Sequence, residues 1–369
     1  MSLVMNKLNL TTEESVRYSQ HIKLEEIGLV GQKKLKNARV LCIGLGGLGS
    51  PLLLYLAAAG IGGLGIVDDD IVELSNLQRQ ILYNRSHIKQ KKTTIAKAQL
   101  LALNPSLQVN SYSKRLTEKN AAELISQYDI IADGSDNFHT RYLIHHMCFQ
   151  LEKPYVYASA SQFQGYCSIF HGKQEPCFHC LFPASTTNRN IANCEAGGVL
   201  GTLPGLLGII QATEIIKWIL QIGNPLNRRL LVVDLLKMAF KEITLTKNAD
   251  CEYCVHHHPL KELIYPVNCH SQIDSKHYSI TLDELNQLFQ KNTSIHLIDV
   301  RTAKEHEIQN IGGKILPLEE LPHRLDELNP MQPIVLYCQS GKRSQIALRL
   351  LLEAGFTSVK YVVNGLTEM

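Results

Sequence analysis

The chain has 369 residues, 45% hydrophobic and 19% charged, which is enough to bury more than one core, so two globular units are expected. A net charge of +3 with scattered Lys and Arg argues against nucleic acid or an anionic membrane as partner. No apolar run is read as reaching the roughly 18 to 20 residues of a membrane span, and MSLVMNKLNLTTEES lacks a signal peptide's basic and apolar regions, so a cytoplasmic protein is expected.

Residues 11–37 read as helical, with Thr11 or Thr12 as N-cap and Gly28 or Gly31 as punctuation. Arg39 to Ile43 reads as a buried parallel strand, Pro51 to Ala59 as an apolar helix, and Leu64 to Val67 as a second strand. A helix over Thr93 to Leu103 stops before Asn104-Pro105, and Tyr128 to Ala132 is another strand. This alternation predicts an α/β fold with a doubly wound, Rossmann-like sheet. From Pro154, PYVYASASQFQGYCSIF alternates and reads as sheet, Thr202 to Leu220 as a buried helix, and Arg229 to Asp234 as a strand. The first domain is expected over residues 11–254, followed by a polar, histidine-rich linker over 255–277 and a smaller α/β domain over 278–369. In that last stretch TLDELNQLF reads as a helix capped by Thr281. SIHLIDV and PIVLYC read as strands, SQIALRLLLEAGF as a helix ending at Gly355, and SVKYVV as a strand.

The chemistry-bearing residues begin in RVLCIGLGGLGS, where Gly44, Gly46 and Gly49 fit G-x-G-x-x-G between strand and helix, with Gly47 inside the turn. Such glycines let backbone amides approach phosphates at a positive helix end. Asp68, at the end of the second strand, is placed for ribose hydroxyls, as in a dinucleotide site. Asp70, Asn76, Arg79 and Lys92 follow in DDDIVELSNLQRQ and beyond. Asn76, Arg79 and Lys92 supply polar and cationic groups suited to a triphosphate, which favours ATP over a nicotinamide, while Asp70 reads either as part of the nucleotide site or, with Asp69, as a polar strand end. Spacing alone leaves Arg79 and Lys92 between that role and a solvated surface charge.

Ten cysteines fit a reducing compartment, since four form two C-x-x-C pairs and one opens a CQSGKRS loop. Cys177, Cys180, Cys251 and Cys254 have the make-up of a tetrahedral thiolate site for Zn²⁺, or of two unrelated thiol pairs. His256, His257 and His258 adjoin the second pair as possible competitors. Cys42 lies in an apolar strand and reads as inert, and Cys194 stands alone in a glycine-rich loop. Cys338 opens C-x-x-G-x-R-S between strand and helix, where successive amides would stabilise a thiolate or persulfide and Arg343 would add positive charge. The loop is one residue short of a C-x5-R phosphate cradle, which favours sulfur.

GLGGLGS, DDDIVELSNLQRQ, the GSDN at residues 134–137 and the paired cysteines resemble the MoeB, ThiF and HesA family of ubiquitin-activating-like adenylyltransferases over about residues 15–254. The last 90 or so residues, with LIDVRTAKEHE and YCQSGKRS, are similar to rhodanese domains. The resemblance implies that ATP is attacked by the C-terminal carboxylate of a MoaD- or ThiS-like sulfur carrier ending in Gly-Gly. By position, Asp68 would hold the ribose, Asn76 and Arg79 the phosphates, Lys92 their developing charge, and Asp136, with Asn137 beside it, the Mg²⁺. Asp133 competes for the metal. The resemblance also implies Zn²⁺ on the four cysteines, a sulfur-transfer role for Cys194 and a persulfide on Cys338. It further implies a sulfur donor such as a cysteine desulfurase or thiosulfate, a homodimer, and a thiocarboxylate product for molybdopterin, thiamine or another metabolite. Where the family carries Arg-Tyr-x-Arg, this chain has Arg17-Tyr18-Ser19-Gln20, so a cation that reaches ATP in relatives is a neutral amide here. The sequence stops at NGLTEM, short of the longer tail the family usually has, which puts rhodanese activity in question. A nicotinamide oxidoreductase, a non-catalytic carrier-binding scaffold and an adenylyltransferase lacking sulfur transfer are the competing readings.

Overall fold

A computed structural model describes residues 9–183, 198–257, 278–290, 295–321, 324–329 and 332–368. The chain divides into two units, Met1–Pro266 and Val267–Met369.

In the first unit eight strands form one sheet: β1 (Arg39–Ile43), β2 (Gly63–Val67), β3 (Gln108–Tyr112), β4 (Ile130–Asp133), β5 (Tyr155–Ser161), β6 (Gln164–Phe170), β7 (Arg229–Asp234) and β8 (Ala239–Thr244). Their order is β3-β2-β1-β4-β5-β6-β7-β8. Strands β1 to β5 run parallel, and β6 to β8 extend the sheet antiparallel. Chain order reverses between β1 and β4, the position where open α/β sheets leave a crevice at their strands' carboxyl ends.

Strand β1 shows why the sheet forms. Val40 and Cys42 enter one apolar cluster, while Leu41 and Ile43 enter the other on the opposite face. A strand covered on both faces needs an unbroken apolar run, and RVLCI supplies one. Cys42 is fully buried and burial pushes its thiol well up, consistent with inert core.

The turn after β1 is fixed by backbone packing. Gly44 has φ of +93°, and a Cβ there would lie 2.6 Å from the Gly134 carbonyl after β4. A Cβ on Gly49 or Gly134 would meet the Gly44 oxygen at 2.1 or 2.3 Å. Three glycines thus let the loops after β1 and β4 touch without side chains between them.

Several elements depart from expectation. The segment 11–37 is three helices, Thr12–Arg17, Ser19–Ile22 and Gly28–Asn37. Thr11 caps the first in a box with Glu14, and Gly28, at φ of +56°, opens the third. The stretch after Pro154 is a hairpin turning at Gln162, whose φ is +51°. Among elements not anticipated are β3, β8 and the helices Glu118–Ser126 and Phe138–Gln150. The last hid because it buries Arg141, His145 and His146 beside its apolar residues, which erases a single apolar stripe. Against the expectation that no apolar run reaches the length of a membrane span, the helix Thr202–Leu220, read as a buried helix, is 19 residues and apolar enough by composition. Half of it is buried, and it packs on β5, β6 and the Gly49–Ala59 helix as a core element.

The second unit is a five-stranded parallel sheet of β9 (Ser279–Ile280), β10 (His296–Asp299), β11 (Lys314–Ile315), β12 (Ile334–Tyr337) and β13 (Val359–Val362). The strand order is β11-β10-β12-β13-β9. Thr281 caps its first helix, accepting from Glu284 N at 3.1 Å. The Lys342–Glu353 helix ends before Gly355, which has φ of +89°.

Because the Gly44 oxygen would sit inside van der Waals contact of any added methyl, Gly49→Ala is expected to cost about 1 to 3 kcal/mol. Thermal unfolding checks this, and an unchanged melting temperature would contradict it.

Candidate functional site

The turn that joins β1 to the Gly49–Ala59 helix treats its glycines unequally. Gly44 and Gly49 are demanded by the protein's own backbone, but a Cβ on Gly46 would meet nothing closer than Gln80 Nε2 at 3.7 Å. At Gly47 the nearest atoms would be those of Pro204, at 3.1 Å, and Arg79 Cγ at 3.3 Å. Internal packing therefore explains Gly44 and Gly49 and leaves Gly46 unexplained. Bare backbone at Gly46, ahead of a helix N-terminus, is what close approach of a phosphate requires.

Asp68 stands at the end of β2 with its carboxylate already aimed. One oxygen accepts from Leu45 N in the glycine turn at 2.8 Å, the other from Asp70 N at 2.8 Å. Burial raises its pKa, opposed by Lys92 and the two amides. Lys92, the first residue of the Lys92–Leu103 helix, is only 4% exposed and places Nζ 2.8 Å from Asp70 Oδ2. A cation buried this deeply is costly without counter-charge, and Asp70 supplies it. Arg79 lays its stem beside Gly47 and donates from Nη1 to Ser75 O at 3.2 Å. Asn76 ends a short 3₁₀ turn, Leu74–Asn76, its Oδ1 accepting from Glu73 N at 3.1 Å. Asp68, Asp70 and Lys92 are thus linked, and Arg79 reaches the glycine turn at Gly47.

The turn after β4 separates its two acids. Asp133 is fully buried and spends its oxygens on Ser135 N, Ser135 Oγ and Tyr155 OH, at 2.8, 2.6 and 2.6 Å. That removes it from competition for a metal. Asp136, three residues on, is exposed, and Asn137 caps the next helix by accepting from Thr140 N at 2.9 Å. An exposed carboxylate after β4 has the donor chemistry of a Mg²⁺ ligand. Gln80, buried beside Gly46 with Oε1 lacking a partner, escaped the sequence reading, although its place after Arg79 in SNLQRQ was the available signal.

Near the N-terminus, Arg17 donates to Leu103 O at 3.1 Å and His21 Nδ1 lies 3.1 Å from Gln32 Oε1. Both have partners within their own unit, and with Lys23 they are the cationic candidates to make up for Gln20.

The four cysteines converge. Cys177 Sγ lies 3.7 Å from Cys180 and 3.6 Å from Cys251, and Cys180 lies 3.6 Å from Cys254. All four sulfurs fall within 4.8 Å of one another. Thiolates bound tetrahedrally at about 2.3 Å from a Zn²⁺ stand about 3.8 Å apart, so the spacing fits. His256 and His257 are exposed and outside this group; His258 lies outside the described residues.

In the second unit Cys338 follows β12 and is fully buried. Ser344 N donates to its sulfur at 3.4 Å, and Ser344 Oγ lies 3.5 Å away. Arg343 is committed to a partner not anticipated: both terminal nitrogens meet Glu305, at 2.8 and 2.5 Å. This pairing holds the Glu305 carboxyl at about 2. Arg301 pairs with Asp299 and donates to Gln339 Oε1 at 3.0 Å, bracing the residue after Cys338. Cys194 lies outside the described residues.

Residues 18–253 match the ThiF family, and residues 281–369 match the rhodanese-like domain. The adenylyltransferase and sulfurtransferase MOCS3 of Aedes aegypti is 37% identical over 384 residues, covering 98% of this chain and 87% of the relative. The probable adenylyltransferase/sulfurtransferase MoeZ of Mycobacterium tuberculosis is 38% identical over 364 residues, covering 97% and 93%. Among solved structures, E. coli MccB with ATP shares the fold, with TM-score 0.58 and 22% identity over 68% of this chain and 77% of that one.

The asymmetry among the glycines is testable. Gly46→Ala is expected to fold and melt as the parent does, yet to lose ATP affinity by at least about tenfold, the effect of a methyl where backbone must meet phosphate. Titration calorimetry beside a melting curve checks both, and parental ATP affinity would contradict the cradle.

Proposed function

We propose, from the premise that this chain belongs to the ThiF family and carries a rhodanese-like domain behind it, that it is an adenylyltransferase and sulfurtransferase acting on a ubiquitin-like sulfur carrier that ends in Gly-Gly. The observation that carries the reading is Lys92, a buried cation beside Asp70 at the mouth of the glycine turn.

The amides of Gly46 and Gly47 receive the phosphates of ATP, and Asp68 takes the ribose hydroxyls. Asn76 and Arg79 hold the triphosphate from the opposite side, with Lys92 where charge accumulates during transfer. Asp136, with Asn137 beside it, would hold Mg²⁺, which neutralises phosphate charge. The carrier's terminal carboxylate attacks the α-phosphorus, and pyrophosphate leaves with the bonding pair. Catalysis here is positioning and charge stabilisation, with no covalent protein nucleophile in this step.

Sulfur enters through Cys338. Its persulfide attacks the acyl-adenylate carbonyl, AMP departs, and an acyl disulfide links carrier to Cys338. A second thiol then attacks the Cys338 sulfur, forming a disulfide with it and releasing the thiocarboxylate, and a thiol reductant from outside the protein restores both cysteines; the family resemblance offers Cys194 for that step. The Ser344 amide in the first turn of the Lys342–Glu353 helix donates toward the Cys338 sulfur, and Arg343, with Glu305 opposite it, adds positive charge for the persulfide. A cysteine desulfurase or thiosulfate supplies the sulfur, and the product serves molybdopterin, thiamine or a related metabolite. Zn²⁺ on Cys177, Cys180, Cys251 and Cys254 is structural, the protein is cytoplasmic, and it works as a homodimer.

Incubating Gly-Gly-ended carriers with the protein, Mg-ATP and a sulfur donor should add about 16 Da to the matching carrier, oxygen exchanged for sulfur, by intact-mass spectrometry. Cys338→Ala should abolish that gain while leaving the AMP adduct, and no carrier mass change with folded protein would overturn the reading. Metal analysis of the purified chain should give one zinc per chain, lost together with melting temperature in Cys177→Ser. A chain that melts identically without zinc would refute the structural site.

A further inference from the structure

The turn that presents Asp136 is held from beneath by charged groups to which the proposed chemistry gives no part. Asp133 and Arg141 are 0% and 5% exposed, and Tyr155 is fully buried beside them. Burying an acid and a guanidinium together is a poor way to gain stability, since an apolar pair of similar volume often does as well. Their contacts show another use. Asp133 Oδ1 takes both the N–H and the O–H of Ser135, and Oδ2 takes Tyr155 OH at 2.6 Å. Arg141 Nη2 donates to Ser135 O at 3.0 Å, while its Nε stands 4.0 Å from Asp133 Oδ2 with no hydrogen bond of its own. Gln211 Nε2 holds the Asp133 carbonyl at 2.8 Å, and Gly134 N donates to Ile43 O at 2.8 Å, tying the turn to the end of β1. Burial pushes the Asp133 carboxyl up, and Arg141 with the three hydrogen bonds pulls it back. Among the described residues the Asp136 carboxylate takes a long contact, 3.5 Å, from Asn137 Nδ2, and it feels the charge of Arg141.

We propose that Asp133, Tyr155 and Arg141 are positioning residues for adenylation: a buried, charge-balanced clamp that fixes the Gly134–Asn137 turn so that the exposed Asp136 carboxylate is held in one orientation toward the metal and the phosphates. The proposal rests on the reading that Asp136 holds the metal. Partners one step behind a ligand set its direction, and losing one weakens metal binding or activity by roughly 10- to 100-fold.

The test uses Tyr155→Phe in the full chain, which deletes one hydroxyl and keeps the ring that stacks on Phe170 and meets Phe178 edge-on. Mn²⁺ binding is read by electron paramagnetic resonance with a non-hydrolysable ATP analogue present. The clamp predicts Mn²⁺ affinity lowered about tenfold. The Mg²⁺ half-saturation of ATP–pyrophosphate exchange should rise by the same factor, with near-parental rate at saturating Mg²⁺ and unchanged metal-free nucleotide affinity. If Tyr155→Phe fails to fold, Arg141→Lys, which keeps the charge and loses the Ser135 bond, carries the same prediction. Parental Mn²⁺ affinity in these variants, with or without a lowered melting temperature, alongside weakened binding in Asp136→Asn, would overturn the clamp alone. Parental affinity in Asp136→Asn would overturn the metal reading on which it stands.

Discussion

Backbone meeting backbone at the chain reversal between β1 and β4 is the contact on which the first unit's site depends. With a Cβ on Gly49 or Gly134 the Gly44 oxygen would be 2.1 or 2.3 Å away, so side chains at those positions would push the two loops apart. Their closeness puts the start of the Gly49–Ala59 helix, Asp68 at the end of β2 and the Asp136 turn after β4 around one crevice. The fold thereby concentrates a helix end, cations and carboxylates at the strands' carboxyl ends, the place where open α/β sheets bind ligands.

Charge in that crevice is divided by burial. Lys92 is buried but balanced by exposed Asp70 across 2.8 Å, so a phosphate entering the site can take over the cation without leaving it uncompensated. Asp133 and Asp136 lie three residues apart and are separated more sharply. One carboxylate is consumed by internal hydrogen bonds, the other is open. In the second unit the same logic ties Arg343 to Glu305, which fixes a guanidinium near Cys338 while cancelling much of its charge.

How much could be read in advance follows from where each signal is stored. Strand β1 and the helix from Gly49 declare themselves because both faces of a central strand must be apolar and a tight turn needs glycine. The cysteine quartet was legible as residue types, yet its closure depends on loops 70 residues apart, which only the fold brings to 3.6 Å. The Phe138–Gln150 helix was missed because its buried Arg141, His145 and His146 look polar in sequence and are core in space. The same burial concealed the Asp133 network, whose partners Tyr155 and Gln211 lie far along the chain. The parallel sheet and the strands β6 and β7 were expected, whereas β8 carried no apolar alternation because it is exposed along most of its length.

The central claim is that cationic side chains beyond the glycine turn gather on a triphosphate so that a carboxyl end can be joined to AMP. Carrier-dependent ATP–pyrophosphate exchange in Lys92→Met and Arg79→Ala, compared with the parent at matched folded concentration, tests it most directly. The account predicts a loss on the order of 100- to 1,000-fold in each, the scale of removing one preorganised group from a charge-developing centre. Exchange at the parental rate in both variants would contradict it.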